Sequence, residues 1–438
     1  MALYASPPPS RKVQLAAIGV ASVSLVLGAL PVFLVSGLGV QIRAEFGVST
    51  SIFGLTIALS FVAGALAGPV GGRLADRFGA QRSIAMGAIV SITALAGIGI
   101  ASSEVWHLAV FLVIGGVGLS MIDPGLAVLV TRVVSPRRQG LAFGIKEASI
   151  PIASLVAGVS VPVVALTLGW RWAGVVAVIP IAVLVYLLPK LPKLAVSPRP
   201  VRSANPAAKN TSSTRNGGPR GAVIAIVAIA TTLGMTSASG AGVFLPQSAV
   251  AIGLSESAAG LLLAAASGAG VIARVLLSSA ADRRHDVQFR FIAVLLGVGA
   301  LAMMAGSSGV TALLVIASVG VFAAAWAWSG LLFVSLVRLM PDAPGRAAGI
   351  GLVGLAAGNA LGPPLFGFVA EQASFAQAWH AAAALGTTAA ALMWCVPAAS
   401  HQLGRNSTLN HPDVGSQAAR TVANRVRGTP SRRTSGTA

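Results

Sequence analysis

Apolar residues fall along this chain in twelve long blocks separated by short polar stretches. A helix needs about 20 such residues to cross a ~30 Å hydrocarbon core. The blocks predict membrane-spanning helices over residues 14–40, 49–72, 83–103, 107–131, 140–168, 173–189, 221–246, 256–279, 289–307, 310–337, 346–370 and 380–399. Two stretches have no apolar period. Residues 190–220, rich in Pro, Ser, Asn and basic residues, read as a cytoplasmic linker, and residues 401–438 as a disordered basic tail. The expected organisation is a cytoplasmic N-terminus at 1–13, six-helix bundles at 14–189 and 221–400, the linker between them and the tail after them.

The pattern also repeats. Gly47, Ser49, Ser51, Gly54, Leu55, Gly64, Ala75, Asp76 and Arg77 return 206 residues later as Gly253, Ser255, Ser257, Gly260, Leu261, Gly270, Ala281, Asp282 and Arg283, and Arg132 returns as Arg338. Further on, Gly144 aligns with Gly351 and Trp172 with Trp379 at an offset of 207. The chain therefore reads as two copies of one half, and duplicated halves in a membrane usually enclose a pathway at their interface.

Composition agrees with an all-α membrane protein: 55% of residues are hydrophobic, 9% are charged and the mean hydropathy is +0.84. A soluble domain of this length needs more polar surface. The net charge of +19 is the kind of value that points to nucleic acid. Its location argues instead for membrane topology and anionic lipid headgroups, because Lys and Arg near span ends stay in the cytoplasm. With the N-terminus inside, only Arg43 and Arg171 of the 30 basic residues fall in outer loops, whereas Glu45, Glu104, Glu256 and Glu371 all do. Both termini are expected in the cytoplasm, in a multi-pass protein of the inner (cytoplasmic) membrane. Arg11 and Lys12 precede an apolar run that continues to about Val40, which fits a retained first helix rather than a cleaved signal. The single cysteine, Cys395, excludes an internal disulfide. No cofactor or metal is expected, nor a nucleic-acid partner, and a monomer is anticipated.

The segment after the second span reads Gly72-Arg73-Leu74-Ala75-Asp76-Arg77-Phe78-Gly79-Ala80-Gln81-Arg82. Through Gly72, Leu74, Asp76, Arg77, Gly79 and Arg82 it resembles motif A of the major facilitator superfamily, with a partial echo at Ser278, Asp282 and Arg283. The resemblance implies a twelve-helix fold, secondary transport by alternating access, and a gating role for this loop. Physically, a glycine lets helix backbones approach closely. An Asp at a helix end can face a neighbouring helix N-terminus and an Arg, forming a tie that breaks when the halves rock. Asp76 with Arg132 and Asp282 with Arg338 are the natural pairs; the competing reading is that these charges only fix topology. The second copy departs from the motif, since Ser278 replaces the glycine and Arg284-His285 replace Phe78-Gly79. Span five lacks the G-x-x-x-G-P-x-x-G-G pattern of drug-proton antiporters, although Gly358 to Gly367 in span eleven is similar.

Ionisable side chains in hydrocarbon are costly and read as functional by default. Asp123 lies nine residues before Arg132, and Lys146 eight residues after Arg138, so both sit about 12–13 Å in from the same side at 1.5 Å per residue. They can meet as an ion pair, with Glu147 competing or turned elsewhere, or Lys146 can snorkel and leave Asp123 alone. Three readings stand: a carboxylate carries a proton, Lys146 neutralises an anionic substrate, or the group is a static ion pair. Ser329 and Leu352 or Val353 occupy the equivalent positions in the second half, so this chemistry belongs to the first half alone. Further candidates are Trp326, which can stack on a substrate or simply pack, Asn359, which needs a hydrogen-bond partner, and Arg274, which can face a cavity or reach the inner surface.

No G-x-x-x-x-G-K-S/T segment supplies nucleotide binding, so the energy source is a gradient or the substrate itself. The five His are not clustered in the spans, which argues against a membrane enzyme. The expected function is a proton-coupled secondary transporter of a small solute, a small organic anion being the favoured class. A drug/proton efflux antiporter and a non-transporting membrane sensor are the alternatives.

Overall fold

The computed structural model describes residues 11–134, 139–188, 219–283, 288–340 and 344–409. Residues 190–218 of the expected linker at 190–220 and the tail beyond Leu409 lie outside them, while Pro219 and Arg220 already belong to the following helix. Among the described residues, twelve helices are long and apolar enough to cross a membrane: α1 (Ile18–Gly37), α2 (Thr50–Phe78), α3 (Ala80–Ile100), α4 (Val105–Val130), α5 (Gly144–Leu168), α6 (Trp170–Leu187), α7 (Gly221–Ala251), α8 (Glu256–Ala280), α9 (Phe289–Gly306), α10 (Thr311–Leu339), α11 (Gly349–Gln372) and α12 (Phe375–Val396). No strand occurs among the described residues. Helix is what an apolar segment must form in lipid, where each backbone N–H and C=O has to find its partner within the segment.

The repeated residues do the same work in each half. Gly47 and Gly253 have φ of +61° and +97° and end the helical extensions of α1 and α7 in a conformation that side chains disfavour. Ser49 and Ser255 then cap the next helices, accepting from Ile52 N at 3.3 Å and from Ala258 N at 3.2 Å. Gly54 and Gly260 both lie where the halves touch. A Cβ on Gly54 would overlap Pro363 O of α11, and one on Gly260 would meet Gly158 O of α5 at 2.7 Å.

These two seams, α2 against α11 and α5 against α8, join the bundles. At the end away from the start of α1, here the far end, they are reinforced by Gln41 Nε2 donating to Glu256 Oε2 at 2.6 Å and Ser51 N donating to Glu371 Oε2 at 2.9 Å. Gly367 of α11 also packs against the Thr50 backbone. Toward the near end, Gly68 and Gly72 of α2 and Gly349 of α11 have no atom within 4 Å of where a side chain would begin. The close contacts of the α2–α11 seam made by these residues thus lie at its far end. Gly54→Val places methyl groups against Pro363 and is expected to prop the far end apart. Labelling of a cysteine at Ser51 by a polar maleimide, in a Cys395→Ala background, should speed up; an unchanged rate contradicts the assignment.

A second far-end clamp lies within the first half. Glu45 accepts from Trp170 Nε1 at 2.5 Å and from Arg171, whose Nη2 also donates to Ser102 O at 2.7 Å. Partial burial pushes the Glu45 carboxyl up, but these hydrogen bonds and the Arg171 charge outweigh it and hold the group below the usual carboxylate range. A depressed pKa means the contribution is present above the ordinary value of about 4.3 and is lost only as pH falls through the lower folded value.

Three expectations are corrected. Helix α2 runs to Phe78 rather than ending near residue 72, so Gly72 to Phe78 are helical and the connection to α3 is Gly79 alone, at φ +85°. Close approach is made by Gly71, where a Cβ would overlap Ser120 O, and not by Gly72; successive helical residues point about 100° apart. The last helix continues to Leu409, past the expected boundary at 400, because extending an existing helix is far easier than nucleating one.

Candidate functional site

The site forms where two helices break. Pro151 has no N–H, so Glu147 O, four residues earlier, loses its helical donor, and α5 is interrupted at Ala148. In α10, residues Val321–Ala325 form a π-turn, with Trp326 N donating to Val321 O at 3.0 Å, and regular helix resumes only at Ser329. Such turns leave carbonyls available and recur at functional sites.

Lys146 occupies the space between α4 and α5. Its Nζ lies 2.5 Å from Asp123 Oδ1 and 3.0 Å from Glu147 Oε1, so Glu147 joins the pair instead of turning away, and Lys146 does not snorkel. The Lys146 side chain is 5% exposed, Glu147 29% and Asp123 41%, which makes Asp123 the outermost member. From the other half, Arg274 of α8 reaches in with 6% exposure. Its Nη1 donates to Glu147 O at 2.8 Å and lies 3.7 Å from Glu147 Oε2, while Nη2 donates to Trp326 O at 2.9 Å. Two acids and two bases thus neutralise one another in a chain that crosses from α4 and α5 to α8 and α10. Buried charges are tolerated on that condition, and removing one partner leaves the others exposed to the low-dielectric interior.

Trp326 continues the network into a cavity. Its indole Nε1 donates to Ala238 O at 2.8 Å, and its ring stacks on Phe322 at 6.2 Å and meets Phe33 of α1 edge-on at 6.3 Å. The cavity is lined from both halves by Phe33, Ser36, Phe61, Ser154, Ser239, Gly242, Val243, Leu263, Phe322 and Trp326. At ≈ 10 Å³ it has room for about one water, so the aromatic rings of the two halves close the space in this conformation.

Five of the six residues proposed for the pathway, Asp123, Lys146, Glu147, Arg274 and Trp326, therefore come together. Asn359 of α11 is not part of the network; its Oδ1 is buried without a partner. The gating residues are less defined. Asp76, Arg77 and Arg82 are exposed, with Arg77 over the Phe78 ring at 5.4 Å. The side chains of Arg132, Asp282 and Arg283 lie outside those described, so neither expected pair is visible, and Arg338 is half-buried in the last turn of α10. Sequence reasoning missed the contacts across the seams: Gln41 with Glu256, Glu371 with Ser51, and Ser154 with Ser267 at 3.0 Å. Glu256 and Glu371 had carried only a topological meaning, and a lone serine in a span carries no signal.

Known proteins resemble this chain at two levels. Over 127 residues it is 33% identical to an uncharacterized MFS-type transporter of Mycobacterium tuberculosis, a stretch that is 28% of this chain and 22% of that protein. Over 121 residues it is 30% identical to multidrug resistance protein MdtH of Klebsiella pneumoniae, 28% of this chain and 29% of that one. The chain thus matches under a third of the length of these relatives. Two solved structures share its fold along most of the chain. A D-xylose-proton symporter has a TM-score of 0.66 at 19% identity, covering 88% of this chain and 98% of that one. The proton:xylose symporter XylE bound to 6-bromo-6-deoxy-D-glucose has a TM-score of 0.65 at 17% identity, covering 87% and 95%. The family model of the Major Facilitator Superfamily matches residues 15–350. With two duplicated six-helix bundles and that match over most of its length, the chain belongs to the major facilitator superfamily.

Proposed function

We propose that this protein is a secondary transporter that carries a small organic anion across the cytoplasmic membrane by alternating access, coupled to protons. The observation that carries the reading is Lys146, a buried cation shared by two carboxylates and linked through Glu147, Arg274 and Trp326 to a cavity that both halves line. While both carboxylates are ionised, Lys146 has no charge to offer. A proton taken by one of them releases a donor for an anionic solute, so proton and anion binding favour each other. Asp123, the most exposed member, is the assigned proton carrier. Trp326 packs the wall of the solute space, and the unpartnered Asn359 Oδ1 offers an acceptor from the other half. The bias of Lys and Arg supports a cytoplasmic near end. One chain with its bilayer is then the working unit, and it needs no cofactor.

The test is whether anion binding depends on protons. Thermal stabilisation of the purified protein by benzoate, lactate and similar carboxylates should strengthen as pH falls from 8 toward 6, and stabilisation independent of pH contradicts the coupling. A second reading, drug/proton efflux, is favoured by the aromatic lining of the cavity and by the name of the MdtH relatives. It calls instead for energy-dependent extrusion of cationic dyes.

In this reading the near-end residues Gly72, Asp76, Arg77, Gly79, Arg82 and Arg132, with Asp282, Arg283 and Arg338, govern closure of the cytoplasmic side. Asp76→Asn is expected to shift the population toward the near-open state. Maleimide labelling of cysteines placed along the near halves of α2 and α11 should rise; an identical pattern counts against the gate.

A further inference from the structure

We infer that Arg274 is a positioning residue that clamps the two broken helices across the seam between the halves, and is not a ligand for the solute. Its guanidinium is committed to protein acceptors on both sides. Nη1 meets Glu147 O, the carbonyl that Pro151 deprives of its donor, and Nη2 meets Trp326 O, at the exit of the π-turn in α10. Each break leaves a carbonyl at membrane depth, where nothing else supplies a donor, and a planar fork satisfies both at once. Glu147 Oε2 at 3.7 Å balances the charge, and Nε is the one guanidinium nitrogen without a partner. A lysine ammonium is a single point donor on a flexible stem and cannot span two fixed carbonyls in the same way.

The clamp sets more than its own contacts. It fixes the backbone of Glu147, and so the carboxylate that pairs with Lys146. It also holds α5 against α8, where Gly144 packs directly on Ser278, one helical turn from Arg274. Opening the near end of this seam requires Nη1 to let go of Glu147 O, while Nη2 keeps its hold on Trp326 O within the second half.

The test uses the purified full-length protein with Cys395→Ala and a reporter cysteine at Ser278, labelled by a polar maleimide; it does not require transport. Arg274→Lys keeps the charge, yet is expected to label about tenfold faster because the two-carbonyl fork is lost. Pro151→Ala restores the N–H that competes for Glu147 O. It should straighten and stabilise α5 while speeding labelling about two- to threefold; faster labelling with undiminished thermal stability separates release of the clamp from general loosening of the fold. Labelling of Arg274→Lys at the parental rate overturns the clamp. Should that variant fail to fold, Pro151→Ala decides: a rate above the parent supports the clamp, and a rate at or below it overturns it.

Discussion

Lys146→Met is expected to abolish proton-driven uptake and to destabilise the protein by about 3 kcal/mol, the low end of the usual range for breaking a buried ion pair. The low end applies because Asp123 and Glu147, at 41% and 29% exposure, can recover part of the loss by hydration or protonation. Methionine fills nearly the same volume, so the effect isolates the charge rather than a cavity. Asp123 then loses its ion-pair partner, while Glu147 keeps only Arg274 at 3.7 Å. The solute loses its counter-charge at the same time. Melting of the purified protein and uptake into proteoliposomes measure the two consequences separately. Parental values in both would mean that Lys146 is a bystander.

Asp123→Asn separates coupling from passage. The amide imitates the protonated carboxyl at every pH, so Lys146 remains available to the anion and the cycle loses its proton. Exchange of labelled for unlabelled anion across the membrane should survive. Accumulation against a gradient should collapse to equal concentrations on the two sides, and the rise of uptake with falling external pH should flatten. Glu147→Gln keeps the carbonyl held by Arg274 but removes one of the two charges on Lys146. A weaker version of the same phenotype is expected. If both variants accumulate solute as the parent does, neither carboxylate carries the proton.

How far the site could be read in advance depended on the kind of contact. Asp123 and Lys146 lie on neighbouring antiparallel helices at equal depth, and depth follows from counting residues at a fixed rise; their contact is geometrically simple. The role of Glu147 O was also within reach, since Pro151 follows it by four residues and must free that carbonyl. Arg274 was not, because its depth on α8 leaves open which neighbour in the other half it faces. The same holds for Gln41 with Glu256 and Ser51 with Glu371, which join positions 215 and 320 residues apart. The boundary at residue 72 was misplaced for another reason. Polar residues ended the apolar block there, but a helix leaving the membrane keeps its hydrogen bonds and stops only where a residue such as Gly79 adopts positive φ. The 206-residue echo proved more informative about the frame than about the chemistry. Gly47, Ser49 and Gly54 recur as the matching turn, cap and seam contact, whereas Lys146 has no counterpart.

The central claim is that one buried cation, shared by two carboxylates, links proton and anion movement. Proteoliposomes loaded with a pH-sensitive dye and containing the purified protein test it when single carboxylates, aromatic and aliphatic, are added outside at a fixed small pH gradient. At least one anion is expected to acidify the lumen as it enters, only with parent protein present, and Asp123→Asn to admit the same anion without the acidification. Anion entry that moves no protons in the parent would contradict the coupling, and binding of an anion with no entry at all would make the protein a sensor rather than a transporter.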